Sequence, residues 1–264
     1  NDLKNGIVRF IGSSEKRIKE DYLRIIRFFR FFAQYSKTDF NKETIQSIKK
    51  NINGINQISK ERIFEEIKKI LSLKNVYVLF SNKNSREIFI NIFPQFKYYE
   101  RLKFFNSLDK GTKNYYDYKL ILALLIIDNT NDYEFFCYKY KISNEIKKIF
   151  KSISLNYNQL KNKKFYSETN IKKLIYFTDK NTVRNILLFS GCANNKFKSE
   201  DFKNILSYVN NCKIPRFPIS GDDLKKNYGY ESGKELGKKL KYLEKKWIEN
   251  NFTINKEFLK KSLN

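Results

Sequence analysis

Histidine and methionine are both missing from this 264-residue chain. Without histidine, no histidine can serve as a general base, nucleophile or metal ligand within it. The three cysteines, Cys137, Cys192 and Cys212, show no CxxC spacing and no pattern typical of a disulfide framework. We therefore expect buried free thiols and a reducing, cytoplasmic location.

Residues that break regular structure are also scarce, with three prolines and nine glycines. The longest apolar run, Leu120 to Ile127, falls far short of the roughly 20 residues that span a bilayer. No secretory signal is recognisable. Because the sequence begins Asn1-Asp2 and lacks methionine, we expect it to be an excerpt of a larger protein with a segment preceding it.

Positive charge is what the chain has in excess, with 53 Lys and Arg against 28 Asp and Glu, a net charge of +25. This excess indicates a polyanionic partner, with nucleic acid favoured over an anionic membrane surface. A+T-biased coding that inflates lysine is the alternative explanation. Only ten of the basic residues are arginines, and five of these fall within the first 30 positions. Arginine in such a background indicates sites that need a planar, forked donor.

The hydrophobic spacing predicts an all-α fold with one short strand at the start. Residues 3–12 combine the turn signal Asn5-Gly6 with strand-forming residues. Ser13 or Ser14 is then expected to cap one continuous helix that ends near Gln34. Apolar residues at helical spacing predict further helices along the rest of the chain. They are expected near residues 41–53, 60–71, 98–107, 115–127, 131–140, 144–152, 168–177, 179–190, 199–210 and 233–250.

The segment Arg17 to Ala33 contains an acidic pair followed by arginines at helical spacing. Guanidinium groups bind phosphates, carboxylates and base edges in bidentate fashion. This array can therefore bind a nucleotide, and Glu20 is expected to orient an arginine or cap a neighbour instead of touching the ligand. The alternative is a set of surface salt bridges. The candidate nucleotide-binding residues are Asp21, Arg24, Arg27 and Arg30.

The last third of the chain changes character, since residues 214–237 hold two of the three prolines and four of the nine glycines. A lysine-rich helix is expected to follow. Its lysines could track RNA phosphates, or they could form an ordinary solvated face. The candidate RNA-binding residues are Lys225, Lys226, Lys234, Lys238 and Lys239.

These two regions resemble the CCA-adding enzymes, the class II tRNA nucleotidyltransferases, and the related bacterial poly(A) polymerases. The family's E-D-x-x-R element appears as Glu20, Asp21 and Arg24, and its R-x-x-R-F element begins at Arg27. Residues 59–71 (SKERIFEEIKKIL) are similar to the helix that follows the neck in this family. The tail motif F-P-x-x-G-x-D-L with later glycines and a tryptophan appears as Phe217, Pro218, Gly221, Asp223, Leu224, Gly229, Gly233, Gly237 and Trp247.

The resemblance implies a multi-helix neck, body and tail that follow a catalytic head. It places the end of the head in residues 1–12, the neck in 13–75, the helical body in 76–160 and the tRNA-binding tail in 161–264. The head's G-G-x-V-R-D, D-x-D and R-R-D elements do not occur in the sequence. The resemblance therefore implies that Mg²⁺ is bound by the head, and that no residue of this chain is catalytic or binds metal.

By the same resemblance, Asp21 and Arg24 would hydrogen-bond the Watson–Crick edge of CTP or ATP. Arg27 and Arg30 would contact the triphosphate or brace the pocket. The expected function is nucleotide selection and tRNA binding in an enzyme that adds CMP and AMP to tRNA 3′ ends. Two alternatives remain open: a poly(A) polymerase of the same family, and a non-catalytic basic module that binds RNA by shape. The oligomeric state is not predicted.

Overall fold

The computed structural model describes residues 2–194 and 199–254, apart from the side chains of Leu3 and Ser199. In these residues the chain is all-α, and they contain no β-strand. The first α-helices are α1 (Asp2–Asn5), α2 (Ser14–Glu20), α3 (Arg24–Tyr35), α4 (Lys42–Asn51), α5 (Lys60–Leu71), α6 (Tyr77–Ser81), α7 (Lys83–Ile92), α8 (Arg101–Ser107) and α9 (Lys110–Lys113).

The remaining α-helices are α10 (Tyr118–Ile126), α11 (Asp132–Lys139), α12 (Asn144–Asn156), α13 (Glu168–Phe177), α14 (Lys180–Ala193), α15 (Ser199–Asn211), α16 (Gly221–Tyr228) and α17 (Lys234–Glu249). Short 3₁₀ helices occupy Ile52–Gln57, Tyr157–Lys161 and Lys163–Tyr166. Among the described residues, none of the helices combines the length and the hydrophobicity that a bilayer crossing requires.

The expected all-α class is confirmed, but the strand expected within residues 3–12 is wrong. Residues 2–5 form the short helix α1, and Gly6 turns the chain with φ +64°. The carbonyl of Gly6 accepts the N–H of Lys37 at 3.0 Å. Residues 7–10 that follow have no regular secondary structure. A strand needs a second strand for its backbone hydrogen bonds, and the described residues offer none.

The single helix expected from Ser13 to Gln34 is also wrong. Ser13 does cap α2, but that helix ends at Glu20 and α3 begins at Arg24. Of the three residues between them, the first, Asp21, has extended backbone angles (φ −157°, ψ 103°). Its side-chain Oδ1 accepts the N–H of Leu23 at 3.1 Å. This local hydrogen bond competes with the helix and stabilises a turn.

The described residues divide into two compact units. The first comprises the described part of Asn1–Lys163 and Arg184–Leu206, and the second that of Lys164–Val183 and Ser207–Asn264. The predicted neck, body and tail boundaries differ from this division, and they stay a prediction.

Phenylalanine rings from several helices pack together in the core of the first unit. The rings of Phe29 and Phe80 lie 5.3 and 5.4 Å from the ring of Phe89, and Phe93 stacks on Phe96 at 4.8 Å. All five side chains are buried. They join α3 to α6, α7 and the turn that follows, so the helix with the candidate arginines is anchored by its apolar face.

A buried arginine stabilises the end of the apolar helix α10. Arg101 Nη1 donates to the carbonyls of Leu124 and Ile127 at 3.1 and 2.6 Å, and its Nη2 donates to the hydroxyl of Tyr157 at 2.9 Å. These carbonyls belong to the last turn, where the helix itself supplies no donors and the dipole favours a cation. The guanidinium also lies 4.1 Å from the ring centroid of Tyr98.

The second unit is organised around the single tryptophan. The ring of Trp247 lies 5.4 Å from Phe217, 5.6 Å from Tyr176 and 5.0 Å from Phe252. A second cluster joins α16 to α17 through Leu224, Leu236 and Leu243. The sequence pattern does not predict α16, because its segment is rich in glycine and proline. A capping box formed by Ser220 and Asp223 begins that helix.

The three cysteines are buried and free, as expected.

Candidate functional site

The turn between α2 and α3 presents the carboxylate of Asp21 in a defined orientation. Its Oδ1 is occupied by the N–H of Leu23, and its carbonyl accepts the N–H of Arg24 at 3.0 Å. Its Oδ2 lies 3.4 Å from Nη2 of Arg62 and 3.8 Å from Nη1 of Arg27. About a quarter of the side chain stays exposed (23%). The carboxylate therefore keeps an accessible acceptor beside two guanidinium groups.

The side chain of Arg24 is oriented by residues that are close to it in the sequence. Its Nη1 donates to Oε2 of Glu20 at 2.6 Å and to the carbonyl of Arg17 at 2.9 Å. Arg17 donates to the same carboxylate at 3.0 and 3.2 Å. The hydrogen bonds from Arg24 and Arg17 lower the pKa of Glu20 below its ordinary value. Glu20 thus orients an arginine, as the sequence predicted.

A buried carboxylate on α5 is the largest feature of the site that sequence reasoning missed. Glu66 is 3% exposed. Its Oε1 accepts from Nε of Arg27 at 3.3 Å and from Nζ of Lys69 at 3.0 Å. Its Oε2 lies 3.2 Å from Nε of Arg30 without hydrogen-bond geometry. Glu66 therefore ties two of the candidate arginines of α3 to α5.

The charge of Glu66 depends on these partners. Burial by itself raises the pKa of Glu66, but the hydrogen bond from Lys69 and the positive charge of Arg30 lower it more, so the net pKa lies below its ordinary value. The sequence does contain a signal for this residue. Glu66 lies three residues after Ile63 and four before Ile70, on the apolar face of an amphipathic helix.

Next to this network is a cavity of about 400 Å³ with a basic, aromatic lining, here named the arginine cavity. Arg24 and Arg27 line it, whereas Asp21 and Arg30 do not. Phe31, which is 41% exposed, forms part of its wall. The complete lining is Val8, Arg9, Phe10, Ile11, Arg17, Arg24, Arg27, Phe28 and Phe31.

The structure therefore divides the four predicted nucleotide-binding residues. Arg24 and Arg27 face the arginine cavity, and Asp21 touches it through Arg27. Arg30 instead lies against Glu66 and over the ring of Phe31, 4.5 Å from its centroid. The salt-bridge alternative is realised in part, since each of these arginines has a carboxylate partner. Glu15 pairs instead with Lys19 and Lys50.

Four guanidinium groups and three phenyl rings around one cavity favour a ligand that is both anionic and planar. Arginine binds phosphate and base edges through paired N–H groups. The phenyl rings supply apolar surface, and the rings of Phe10 and Phe28 already stack at 5.3 Å. The arrangement fits a nucleotide better than a small inorganic anion.

Of the five predicted RNA-binding lysines, two lie on α16 (Lys225 and Lys226) and three on α17 (Lys234, Lys238 and Lys239). Lys225 pairs with Asp222 at 3.3 Å and Lys238 with Glu235 at 2.7 Å, each within one helical turn. Lys239 Nζ lies 6.0 Å from the rings of Tyr230 and Tyr242. Lys226 and Lys234 are exposed, and no carboxylate in the described residues lies within 4 Å of them.

Two family models match the sequence. Residues 39–100 match the family described as "Probable RNA and SrmB- binding site of polymerase A". Residues 117–263, more than half of the chain, match the family described as "tRNA nucleotidyltransferase domain 2 putative".

The chain belongs to the tRNA nucleotidyltransferase family.

Known members of the tRNA nucleotidyltransferase family are similar along nearly all of this chain. The mouse (Mus musculus) protein "CCA tRNA nucleotidyltransferase 1, mitochondrial" is 30% identical over 272 residues, which cover 98% of this chain and 58% of the mouse protein. The chain thus spans about three fifths of the length of the curated relative that it matches. Its likeness extends from the candidate site to the lysine-rich helices.

Solved tRNA nucleotidyltransferase structures share the fold. The Thermotoga maritima CCA-adding enzyme complexed with tRNA has a TM-score of 0.65 and 17% identity, over 99% of this chain and 65% of that one. The Bacillus stearothermophilus CCA-adding enzyme in complex with CTP also has a TM-score of 0.65, with 15% identity, over 94% of this chain and 62% of that one. At this identity the likeness establishes the fold alone.

Proposed function

We propose that this chain is the nucleotide-selecting and tRNA-binding part of an enzyme that adds CMP and AMP to tRNA 3′ ends. The observation that supports it most directly is the carboxylate of Asp21, oriented at the turn before Arg24 and 3.8 Å from Arg27 of the arginine cavity. Its substrates are CTP and ATP. The neck, body and tail boundaries given above belong to the same proposal.

Base selection follows from the donor and acceptor pattern of these two side chains. Cytosine and adenine each present an exocyclic amino group. The carboxylate of Asp21 can accept a hydrogen bond from it. They also present an adjacent ring nitrogen, to which the guanidinium of Arg24 can donate. Guanine and uracil present the opposite pattern and would leave buried polar groups unpaired, at about 1–3 kcal/mol each.

The remaining guanidinium groups would bind the phosphates of the nucleotide. Arg27 lines the arginine cavity and is about two-fifths exposed, so its unbonded N–H groups remain available to an anion. Arg30 lies against Glu66 and braces α3 against α5. Its role is therefore that of a positioning residue. Glu20 and Glu66 orient Arg24 and Arg27 before a ligand arrives, which reduces the entropy lost on binding.

In this proposal, Mg²⁺ is bound by the catalytic head and not by this chain. No group of three His, Cys, Asp or Glu side chains within the described ranges, 2–194 and 199–254, is placed to bind a metal ion. We assign Mg²⁺ binding to the head and no chemical step to this chain. The pure chain, incubated with Mg²⁺, CTP, ATP and tRNA, should add no nucleotide, and incorporation of labelled CMP would contradict this.

The basic surfaces of the chain support tRNA as the polyanion. The Thermotoga maritima relative is described as complexed with tRNA, and residues 39–100 match a family described by RNA binding. The five candidate lysines on α16 and α17 are proposed to contact tRNA phosphates. A cytoplasmic location stays part of the proposal, although the mouse relative is named as mitochondrial.

The test is a fusion of this chain to the catalytic head of a related CCA-adding enzyme. Asp21→Ala and Arg24→Ala should each lower CMP incorporation into tRNA that lacks its 3′ end by about tenfold or more, because each removes one contact to the base. Lys16→Ala, an exposed change on α2, is the matched control.

Two outcomes of this experiment would favour the alternatives. Full activity in both variants would support the non-catalytic basic module. Repeated AMP addition without CMP, established by sequencing the products, would support the poly(A) polymerase.

A further inference from the structure

A second depression with a basic lining lies beside α3, and the proposed function does not use it. It consists of two adjoining cavities of about 440 and 960 Å³. They have four lining residues in common, and we name the combined depression the basic groove. None of its lining residues also lines the arginine cavity. The four shared residues are Gln34, Ser72, Leu73 and Tyr118.

The position of the basic groove follows from the geometry of α3. Arg24, Arg27 and Phe31 face the arginine cavity, whereas Arg30 and Gln34 face the basic groove. At 100° per residue, the mean directions of these two sets lie about 70° apart around the helix, roughly a fifth of a turn. One helix therefore contributes arginines to two separate sites.

The charge of the basic groove is strongly unbalanced. Among the described residues, two carboxylates line it, and both have partners. Glu65 pairs with Lys68 at 2.5 Å, and Asp117 accepts the N–H groups of Lys119 and Leu120 at the start of α10. The basic side chains of the lining are Arg30, Lys68, Lys69, Lys74, Lys110 and Lys113.

Two of these lysines are exposed. Lys74 follows the end of α5, and Lys110 begins α9. Across the described part of the chain, no carboxylate lies within 4 Å of either ammonium group. The positive charge concentrated here favours a ligand with several phosphates over one with a single charge.

The remaining lining of the basic groove is aromatic and aliphatic. Phe105 is buried, and Tyr118, at the junction of the two cavities, is half-buried. Tyr116 is held in place by donating to the carbonyl of Leu188 at 2.7 Å. Proteins that bind single-stranded nucleic acid combine a positively charged groove with aromatic rings on which bases stack. A duplex keeps its base faces stacked inside and would leave these rings unused.

We propose that the basic groove binds single-stranded RNA, with phosphates on Lys74 and Lys110 and a base against Tyr118. This site shares no lining residue with the arginine cavity, and none of its lining residues belongs to α16 or α17. It goes beyond the proposed function, because binding here requires neither nucleotide selection nor nucleotide addition.

The experiment measures the binding of a fluorescein-labelled eight-nucleotide oligocytidylate to this chain by fluorescence anisotropy over a range of salt concentrations. The test variant is Lys74→Glu with Lys110→Glu. The control is Lys148→Glu with Lys151→Glu, which makes the same charge change on exposed lysines of α12 outside the basic groove. Far-UV circular dichroism verifies that all variants keep the helical content of the parent chain.

We expect the test variant to bind at least about tenfold more weakly than the control. Its salt slope should fall by about 1.4, since each lost phosphate contact on a single strand removes about 0.7. Tyr118→Leu should weaken binding by about fivefold or more without changing the slope, because stacking is uncharged. The loss at Lys74 and Lys110 is expected whether or not the arginine cavity also binds a cytosine of the probe, because none of the lining residues is shared, so this proposal and the proposed function can fail separately.

Three results would overturn the proposal. The first is equal weakening in the test and control variants, which would reflect net charge alone. The second is unchanged binding in Tyr118→Leu. The third is a duplex RNA of the same length that binds as tightly as the single strand and loses as much affinity in the test variant. Lys74→Ala and Lys110→Ala, each alone, repeat the comparison with a smaller perturbation should the double charge reversal alter the fold.

Discussion

The ring of Tyr22 lies directly over Gly54, where a Cβ atom would be 2.0 Å from Cε1 of the tyrosine. Tyr22 belongs to the turn between α2 and α3, and Gly54 belongs to the 3₁₀ helix Ile52–Gln57. Only glycine lets the backbone approach the ring so closely. Since Asp21 precedes Tyr22 in the same turn, this contact positions the carboxylate of the candidate site.

Gly54→Ala is therefore expected to displace Tyr22 and to lower the free energy of unfolding by about 1–3 kcal/mol, as overpacking of a close contact does. Urea unfolding followed by circular dichroism measures it. Gly237→Ala on α17 is the control, because no atom lies within 4 Å of a Cβ there. The control should be stabilised by up to about 1 kcal/mol, since alanine favours helix.

A double-mutant cycle tests the cause of the Gly54→Ala effect. Tyr22→Ala should cost less stability in the Gly54→Ala background than in the parent chain, because the clash has then been removed. Equal costs in both backgrounds would contradict the contact described here.

Glu66→Gln is expected to destabilise the chain by about 2 kcal/mol. This is less than the 3–5 kcal/mol typical of breaking a fully buried ion pair, because Arg27 and Arg30 remain partly exposed (39% and 21%). The variant removes the charge that balances these arginines and Lys69. Its neighbour Glu65 pairs with Lys68 on the surface, so Glu65→Gln should change the free energy of unfolding by less than about 1 kcal/mol.

The contribution of Glu66 should also depend on pH. Its pKa in the folded chain is lowered from the ordinary 4.5, so its stabilising effect is complete above pH 4.5 and is lost as the pH falls through the folded value. The stability difference between the parent chain and Glu66→Gln should therefore be constant near neutrality and shrink below about pH 4.5. A difference that grows as the pH falls would have the wrong sign.

The lysines of α16 and α17 should contribute unequally to tRNA binding. Lys226→Ala and Lys234→Ala should each reduce the slope of log K against log salt by about one, as the loss of one phosphate contact does. Lys225→Ala and Lys238→Ala should have smaller effects, because Asp222 and Glu235 already offset their charge. Lys148→Ala on α12 is the matched control. Similar slopes for all five variants would show that the ion pairs do not matter.

Several helices could be predicted because their signals are local. The helix expected near residues 60–71 forms as α5, which Ser59 caps and which buries Ile63, Ile67 and Ile70 on its apolar face. The same reasoning failed at Asp21, since the apolar spacing continues without interruption across the turn. The hydrogen bond from Leu23 and the contact of Tyr22 with Gly54 interrupt the helix there.

The candidate site could likewise be predicted from the sequence only in part. The sequence by itself determined the residue types: an acid followed by arginines at helical spacing on an apolar α3, in a chain with an excess of lysine. Only the tertiary structure decided that Arg24 and Arg27 face a cavity while Arg30 turns to Glu66. Helix periodicity depends on residues three and four positions apart, whereas Arg27 and Glu66 are 39 residues apart. Their meeting depends on how α3 packs on α5, which no local pattern specifies.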